Sequence, residues 1–272
     1  RDAEGNISAL VTGLEAGVSY SYWLVSDENT DMSCEPVTFT LATPYEVPNM
    51  GFDSWVNLSG DSPTGTESYT SPNISANDVY WESGNLGAAA ASKTLTSETS
   101  ETALSTSSKA AQLKSQWAGV AIWGAFAAGS VYSGYPISVS TSGAHLMYGR
   151  PYQGFPVYLR GYYKYTPGTV DYHGDYTPSD GLNNGDTDQC IIQIALSTKQ
   201  HEVISTTSEV KTYPFDDESV FAYGTYVSGT TEDLTGEVHT EEIQNGYAPF
   251  KVRLNYKTAT PPDGPFYILI MA

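Results

Sequence analysis

The 272 residues include 31 acidic and 12 basic side chains, giving a formal charge of −19, yet only 16% of positions are charged. A field of that sign repels phosphate backbones and argues against nucleic acid as a partner; an uncharged polymer such as a glycan meets no such barrier, and cations are attracted. With 21 Tyr, 25 Gly and 15 Pro, the composition is that of short strands joined by many turns, and the length allows one large domain or two smaller ones.

The sequence opens at Arg1 without a signal peptide and stops inside the apolar run Phe266-Tyr-Ile-Leu-Ile-Met-Ala272, so both ends read as cut, with targeting elements beyond them. Leu10-Val-Thr-Gly-Leu14 alternates as a short strand, and Ser19 to Val25 places Tyr20, Tyr22 and Leu24 on one face. Pro36-Val-Thr-Phe-Thr-Leu-Ala-Thr43 makes a further strand. Leu14-Glu-Ala-Gly17-Val-Ser-Tyr20 resembles the tyrosine corner of fibronectin type III modules, in which the Tyr hydroxyl bonds back to the backbone. Residues 1–44 thus resemble the end of an Ig- or fibronectin-like β-sandwich, a spacer in which Tyr20, Tyr22 and Trp23 serve packing. Thr43-Pro44-Tyr-Glu-Val-Pro48 follows as a stiff linker.

Residues 45–272 read as a second, larger all-β domain. Strand-like stretches recur at Lys109–Ser115, Val157–Tyr165, Gln189–Leu196, Phe250–Tyr256 and Phe266–Met271, rich in β-branched and aromatic residues. Turn chemistry separates them at Ser83-Gly84-Asn85, Thr166-Pro167-Gly168, Asn184-Gly185-Asp186 and Pro261-Pro262-Asp263-Gly264. No long stretch carries a helical period, and the Ala/Ser/Thr/Glu-rich segment from Ala88 to Ser108 reads as a loop with one strand. About 220 residues of this kind suit a two-sheet jelly roll. Cys34 and Cys190 fall in different domains without a CxxC or His/Cys cluster, which argues against zinc and against a disulfide between them. No run of about 20 apolar residues marks a membrane helix.

Several pieces of this region occur in a telling order: Gly51-Phe-Asp-Ser-Trp55, Tyr80-Trp-Glu-Ser-Gly-Asn85, Lys109-Ala-Ala-Gln-Leu113, Gly149-Arg-Pro-Tyr152, Gly161-Tyr-Tyr-Lys-Tyr-Thr-Pro-Gly168 and Asp188-Gln-Cys-Ile-Ile-Gln-Ile194. Together they resemble the Putative carbohydrate metabolism domain (PCMD) family of bacterial surface lipoproteins, over essentially all of residues 49–272. The resemblance implies a jelly roll similar to galactose-binding-like modules, display at the outer-membrane surface or in the extracellular space through a lipid anchor outside this segment, and a last, Asp-containing strand beyond Ala272. It carries over no catalytic residue.

A sugar site needs an aromatic platform for the C–H faces of the rings and a few hydrogen-bonding groups for the hydroxyls. The candidates are Trp81 with Glu82 and Asn85, which one loop could present together, and Trp117 and Trp123, which flank Gly119 and Gly124. Trp55 reads as core. Tyr162, Tyr163 and Tyr165 lie along one strand, at least one of them in the core. By the same resemblance, Asn49-Met-Gly-Phe-Asp53 is similar to the start of modules that hold a structural calcium, with Asp53 as the carboxylate ligand. The acidic stretch Asp171 to Asp188 does not match EF-hand spacing and reads as a solvated loop. Glycoside hydrolysis needs two carboxylates about 5 to 10 Å apart; Asp53, Glu82 and Asp188 are conceivable, but no motif selects them. His145, His173, His201 and His239 lack a paired nucleophile motif and read as surface residues. The expectation is non-catalytic binding of a polysaccharide or oligosaccharide. The alternatives are a glycoside hydrolase and an adhesive surface protein.

Overall fold

The computed structural model describes residues 11, 14–15, 17–25, 34–41, 43, 45–120, 123–172, 182–206, 211–228, 243–258, 262 and 264–272, with Val120 and Trp123 described by backbone alone. They fall into two compact units, one of residues 1–46 with 153–155 and one of residues 47–152 with 156–272. In the first, β1 (Ser19–Tyr22) and β2 (Val37–Thr40) pair antiparallel. Tyr20 and Tyr22 both pack against Phe39. The Tyr20 hydroxyl accepts the backbone N–H of Glu15 at 2.8 Å.

The second unit is an all-β sandwich of the jelly-roll class. In chain order its elements are β3 (Val56–Ser62), β4 (Gly65–Ser71), β5 (Trp81–Ser83), α1 (Asn85–Ala89), β6 (Thr96–Thr99), β7 (Ala110–Leu113), β8 (Gln116–Val120), β9 (Trp123–Ala127) and β10 (Val131–Ser140). There follow β11 (Gly143–Tyr148), β12 (Arg150–Tyr152), β13 (Tyr158–Tyr163), β14 (Ile191–Ser197), β15 (His201–Thr206), β16 (Val220–Val227), β17 (Ala248–Arg253), β18 (Asn255–Tyr256) and β19 (Phe266–Met271). The main sheet runs β15-β11-β10-β19-β14-β16-β18, with β5 beside β10 and β12 beside β19. Four hairpins or pairs surround it: β3–β4, β6–β7, β8–β9 and β13–β17.

Both faces of the main sheet are covered, and that explains its sequence. On β14, Ile192, Ile194 and Leu196 enter one core, while Ala195 enters another. On β19, Phe266, Ile268 and Ile270 join the first, and Leu269 the second. A strand buried on both sides reads as a continuous apolar run rather than an alternation, as Phe266 to Met271 does. The first core is closed by Leu159 of β13 and Val252 of β17, together with Tyr80 and Trp81. The second gathers Tyr132, Tyr213 and Val220, with Tyr148 and Phe215 at its margin. The short helix α1 lies at the edge of the segment expected to be a loop, and that segment's expected strand is β6.

Candidate functional site

Trp81, Glu82 and Asn85 are brought together, but inside the protein. Trp81 is 0% exposed. Its indole N–H donates to the Pro48 carbonyl at 2.7 Å, and its ring meets Phe52 edge-on at 5.2 Å between centroids. No face remains for a sugar, so the expected platform is a core anchor. Asn85 is equally internal: its amide donates to the carbonyls of Thr70 and Thr96, and its oxygen accepts the N–H groups of Leu95 and Thr96. It does the work of missing ladder bonds between strands, which is why a polar side chain is buried there. Asn73 clamps the backbone of Tyr80 and Trp81 in the same way.

Glu82 lies opposite Tyr132 in the β5–β10 pairing and is buried. Its Oε1 accepts the Tyr69 hydroxyl at 3.0 Å, while Oε2 has no partner among the described residues. Burial raises the carboxyl from an ordinary 4.5 to about 7, against the smaller opposing effects of the Tyr69 hydroxyl, the Ser83 N–H and the Arg150 charge. Close by, Ser83, Leu86, Val131, Tyr132, Leu146 and Tyr148 line part of a cavity of about 140 Å³. Its lining is largely apolar, and it is smaller than ordinary ligand pockets of about 300 to 1,000 Å³.

Asp53 is committed to structure. Its Oδ1 accepts the backbone N–H groups of Ser108 and Lys109 and the Ser108 hydroxyl. Burial pushes this carboxyl up, but those donors outweigh it and the net shift is downward. The neighbouring carbonyls are also engaged: Asn49 accepts from Phe52 N–H, Phe52 from the Trp55 indole, and Ser54 from the Asn49 amide. Among the described residues, no group of three His, Cys, Asp or Glu side chains could hold a metal. Calcium needs six to eight oxygens; Asp53 is the carboxylate at this place, and its Oδ1 already bonds Ser108 and Lys109.

The histidine expectation also needs correction. His201 is buried, its Nε2 within hydrogen-bond distance of the hydroxyls of Ser197 (2.9 Å) and Ser219 (3.1 Å), and its ring packs on Tyr213. Burial lowers its pKa. Asp217 bonds Ser219 and Lys199 rather than the imidazole, so the group is a closed turn clamp and no nucleophilic triad. His145 pairs with Glu202 across β11 and β15. His173 and His239 lie outside the described residues, as do Asp175 and Asp180 of the acidic stretch. Cys34 and Cys190 are free thiols.

Trp117 behaves differently. It sits on β8 directly opposite Phe126 of β9, and the two rings are each 50% exposed. Tyr172, 54% exposed, stands against both, perpendicular to Trp117 at 5.7 Å and tilted to Phe126 at 6.1 Å. The indole lies over Gly124, where a Cβ would come within 2.6 Å of Trp117 Nε1. A glycine there lets the ring settle on the hairpin backbone. Tyr172 thus joins the two cross-strand residues into one half-exposed aromatic cluster. Trp123 begins β9 in the same hairpin; its side chain lies outside the described residues.

A second feature opens where Gly161-Tyr-Tyr-Lys-Tyr-Thr-Pro-Gly168 leaves β13. A groove of about 460 Å³ is lined by Tyr163, Lys164, Tyr165 and Pro167 together with Asp188, Gln189 and Ser228. Tyr163 reaches into the first core and shares a hydrogen bond with the Tyr226 hydroxyl at 2.7 Å. Tyr165 donates its hydroxyl to Asp188 Oδ2 at 2.9 Å. Lys164 pairs with Glu101, and Asp188 remains the acidic group of that lining.

The sequence matches the model of the Putative carbohydrate metabolism domain over residues 52–271. The chain belongs to this family. Among solved structures, the PCMD chain is similar to a protein described as a putative glycoside hydrolase from Bacteroides vulgatus, at 16% identity and a TM-score of 0.52, covering 82% of this chain and 86% of that one. It is also similar to one so described from Bacteroides thetaiotaomicron, at 15% identity and a TM-score of 0.47, covering 93% and 71%. A search of curated proteins gave no match. At 16% identity the first likeness shows the fold alone.

In this PCMD domain, sequence reading missed Phe126 and Tyr172 on the platform and Gln189 and Ser228 in the groove. Phe126 had a signal, since a hairpin folded between Gly119 and Gly124 sets it across from Trp117. Tyr172 had none, being brought in by a loop 55 positions later in the chain.

Proposed function

We propose that the chain binds an uncharged polysaccharide without transforming it, by stacking sugar rings on Trp117, Phe126 and Tyr172. The observation that carries this reading is the exposed aromatic cluster itself. Large rings normally bury their area, and a contiguous half-exposed set marks a binding surface. The PCMD membership supports a sugar as the partner. The net charge of −19 disfavours polyanionic glycans and nucleic acid. Display at a bacterial cell surface, through a lipid anchor outside this segment, with residues 1–44 as the end of a fibronectin-like spacer, completes the proposal.

Glycoside hydrolysis is the second reading, suggested by the descriptions of the structural neighbours. It requires an acid and a second carboxylate facing one cleft. Among the described residues, the carboxyl with a raised pKa, Glu82, is sealed in the interior, and the open groove has Asp188 as the acidic residue of its lining. Those placements favour binding.

Affinity gels containing neutral polysaccharides (β-glucan, xylan, galactomannan, starch) and acidic ones (polygalacturonate, alginate) test the proposal. At least one neutral polymer retards the wild-type chain, and Trp117→Ala weakens that retardation by about tenfold or more, the scale of a lost aromatic anchor. Retardation by the acidic polymers alone, or release of reducing ends from the bound polymer, contradicts it.

A further inference from the structure

We propose that the groove beside Tyr165 and Asp188 is a second sugar subsite, and that groove and platform together hold one internal stretch of a neutral polysaccharide chain. The inference rests on the proposed function and extends it from a surface to a class of ligand.

The groove has the chemistry of a sugar site. Its volume, about 460 Å³, falls within the range of ordinary ligand pockets. Tyr163, Tyr165 and Pro167 stand in its lining, with the Tyr163 ring itself turned to Tyr226 and Phe250. Asp188 spends Oδ2 on the Tyr165 hydroxyl and has a second carboxylate oxygen without a partner among the described residues. That oxygen can accept a sugar hydroxyl, and the exposed Gln189 beside it both donates and accepts. Lys164 is paired with Glu101, so among the described residues lining the groove no unpaired cation stands ready for a uronate or a sulfate. The hydroxyl-rich, uncharged ligand that suits the platform suits this groove as well.

The two places are tied by one piece of backbone. Pro167 lines the groove and Tyr172 stands on the platform. They are five positions apart, a span of no more than about 18 Å even if fully extended. The intervening chain is fixed by a short ladder: Thr169 bridges Thr187, Val170 N–H donates to the Asp186 carbonyl, Gly185 N–H to Val170, and Asp188 N–H to Gly168. The hairpin that carries Asp188 into the groove therefore leads directly to Tyr172. Two subsites at fixed, short separation gain affinity only from a ligand long enough to reach both.

The test uses the full chain and an oligosaccharide ladder, from about two to about eight units, cut from whichever neutral polysaccharide the affinity gels select. Calorimetric affinity rises by about tenfold or more from dimer to hexamer, with one hexamer per protein. Asp188→Asn and Gln189→Ala remove most of that gain and leave dimer binding within about twofold. Gln189 is exposed and makes no hydrogen bond among the described residues, so its replacement keeps the fold. A flat length dependence, two hexamers per protein, or hexamer affinity unmoved in both groove variants overturns the inference. Loss of dimer affinity in Trp117→Ala reports on the platform separately, so the two readings fail independently.

Discussion

Trp81 and Trp117 have similar glycine- and polar-rich neighbours in sequence and opposite fates in the fold. Trp81 is enclosed by Phe52, Tyr80 and the Pro48 carbonyl. Truncating it to Ala removes a large buried ring and orphans that carbonyl, so Trp81→Ala loses about 3 to 5 kcal/mol in urea denaturation. Trp117→Ala, at a half-exposed ring, changes stability by less than about 1 kcal/mol while weakening polysaccharide binding. Equal stability losses in the two variants would contradict the assignment. Glu82 makes a different prediction. Its folded-state pKa of about 7 lies above its ordinary 4.5, so between those values the native protein holds a proton that the unfolded chain has released. Stability from this group is intact below about pH 4.5, falls as pH rises through 7, and the loss reaches about 3 kcal/mol. Glu82→Gln imitates the protonated form and keeps an oxygen for the Tyr69 hydroxyl. Relative to wild type it gains about that amount between pH 4.5 and 8 in paired denaturation curves; parallel pH profiles would show that Glu82 does not titrate in this way.

Hairpins and strand pairs set which of these residues a ligand can meet. β8 and β9 lift Trp117 and Phe126 out of the sandwich, and the close approach over Gly124 keeps the indole in place. Gly124→Val puts a side chain within 2.6 Å of Trp117 Nε1 and 2.8 Å of the Gly119 Cα. It displaces the platform, so polysaccharide binding falls as in Trp117→Ala although the tryptophan remains; binding at wild-type strength would contradict the packing described. At this scale much was legible in the sequence. The apolar run at Phe266–Met271 is β19, the stretch from Gln189 became β14, and the Gly161–Gly168 segment leaves β13 at a turn, because β-branched and aromatic runs between turn residues report local structure. Burial was less legible. Tyr80-Trp-Glu-Ser-Gly-Asn85 looks like an exposed polar loop, but Glu82 Oε1 and the Asn85 amide find their partners in Tyr69, Thr70 and Thr96 from other elements. No local pattern announces such long-range partners. His201 was misjudged for the same reason, its hydroxyl neighbours Ser197 and Ser219 arriving from β14 and the turn before β16.

The whole molecule carries its function as a distribution of charge and surface. Thirty-one acidic against twelve basic residues make a field that repels polyanions and acts little on neutral sugars. Binding to a neutral polysaccharide therefore changes by less than about twofold between 0.1 M and 1 M NaCl, because stacking and neutral hydrogen bonds are not screened; a steep salt dependence in affinity gels would point to an ionic partner instead. Family membership over residues 52–271 agrees with the resemblance read from the ordered motifs, whereas the platform needed the fold, since Trp117, Phe126 and Tyr172 meet only after two hairpins close. The most direct measurement follows the five tryptophan indole N–H signals by NMR as the selected neutral hexasaccharide is added. The Trp117 signal shifts in a saturable way and the Trp81 signal, locked onto the Pro48 carbonyl, stays where it was. A hexasaccharide that binds while leaving Trp117 unmoved would contradict the account.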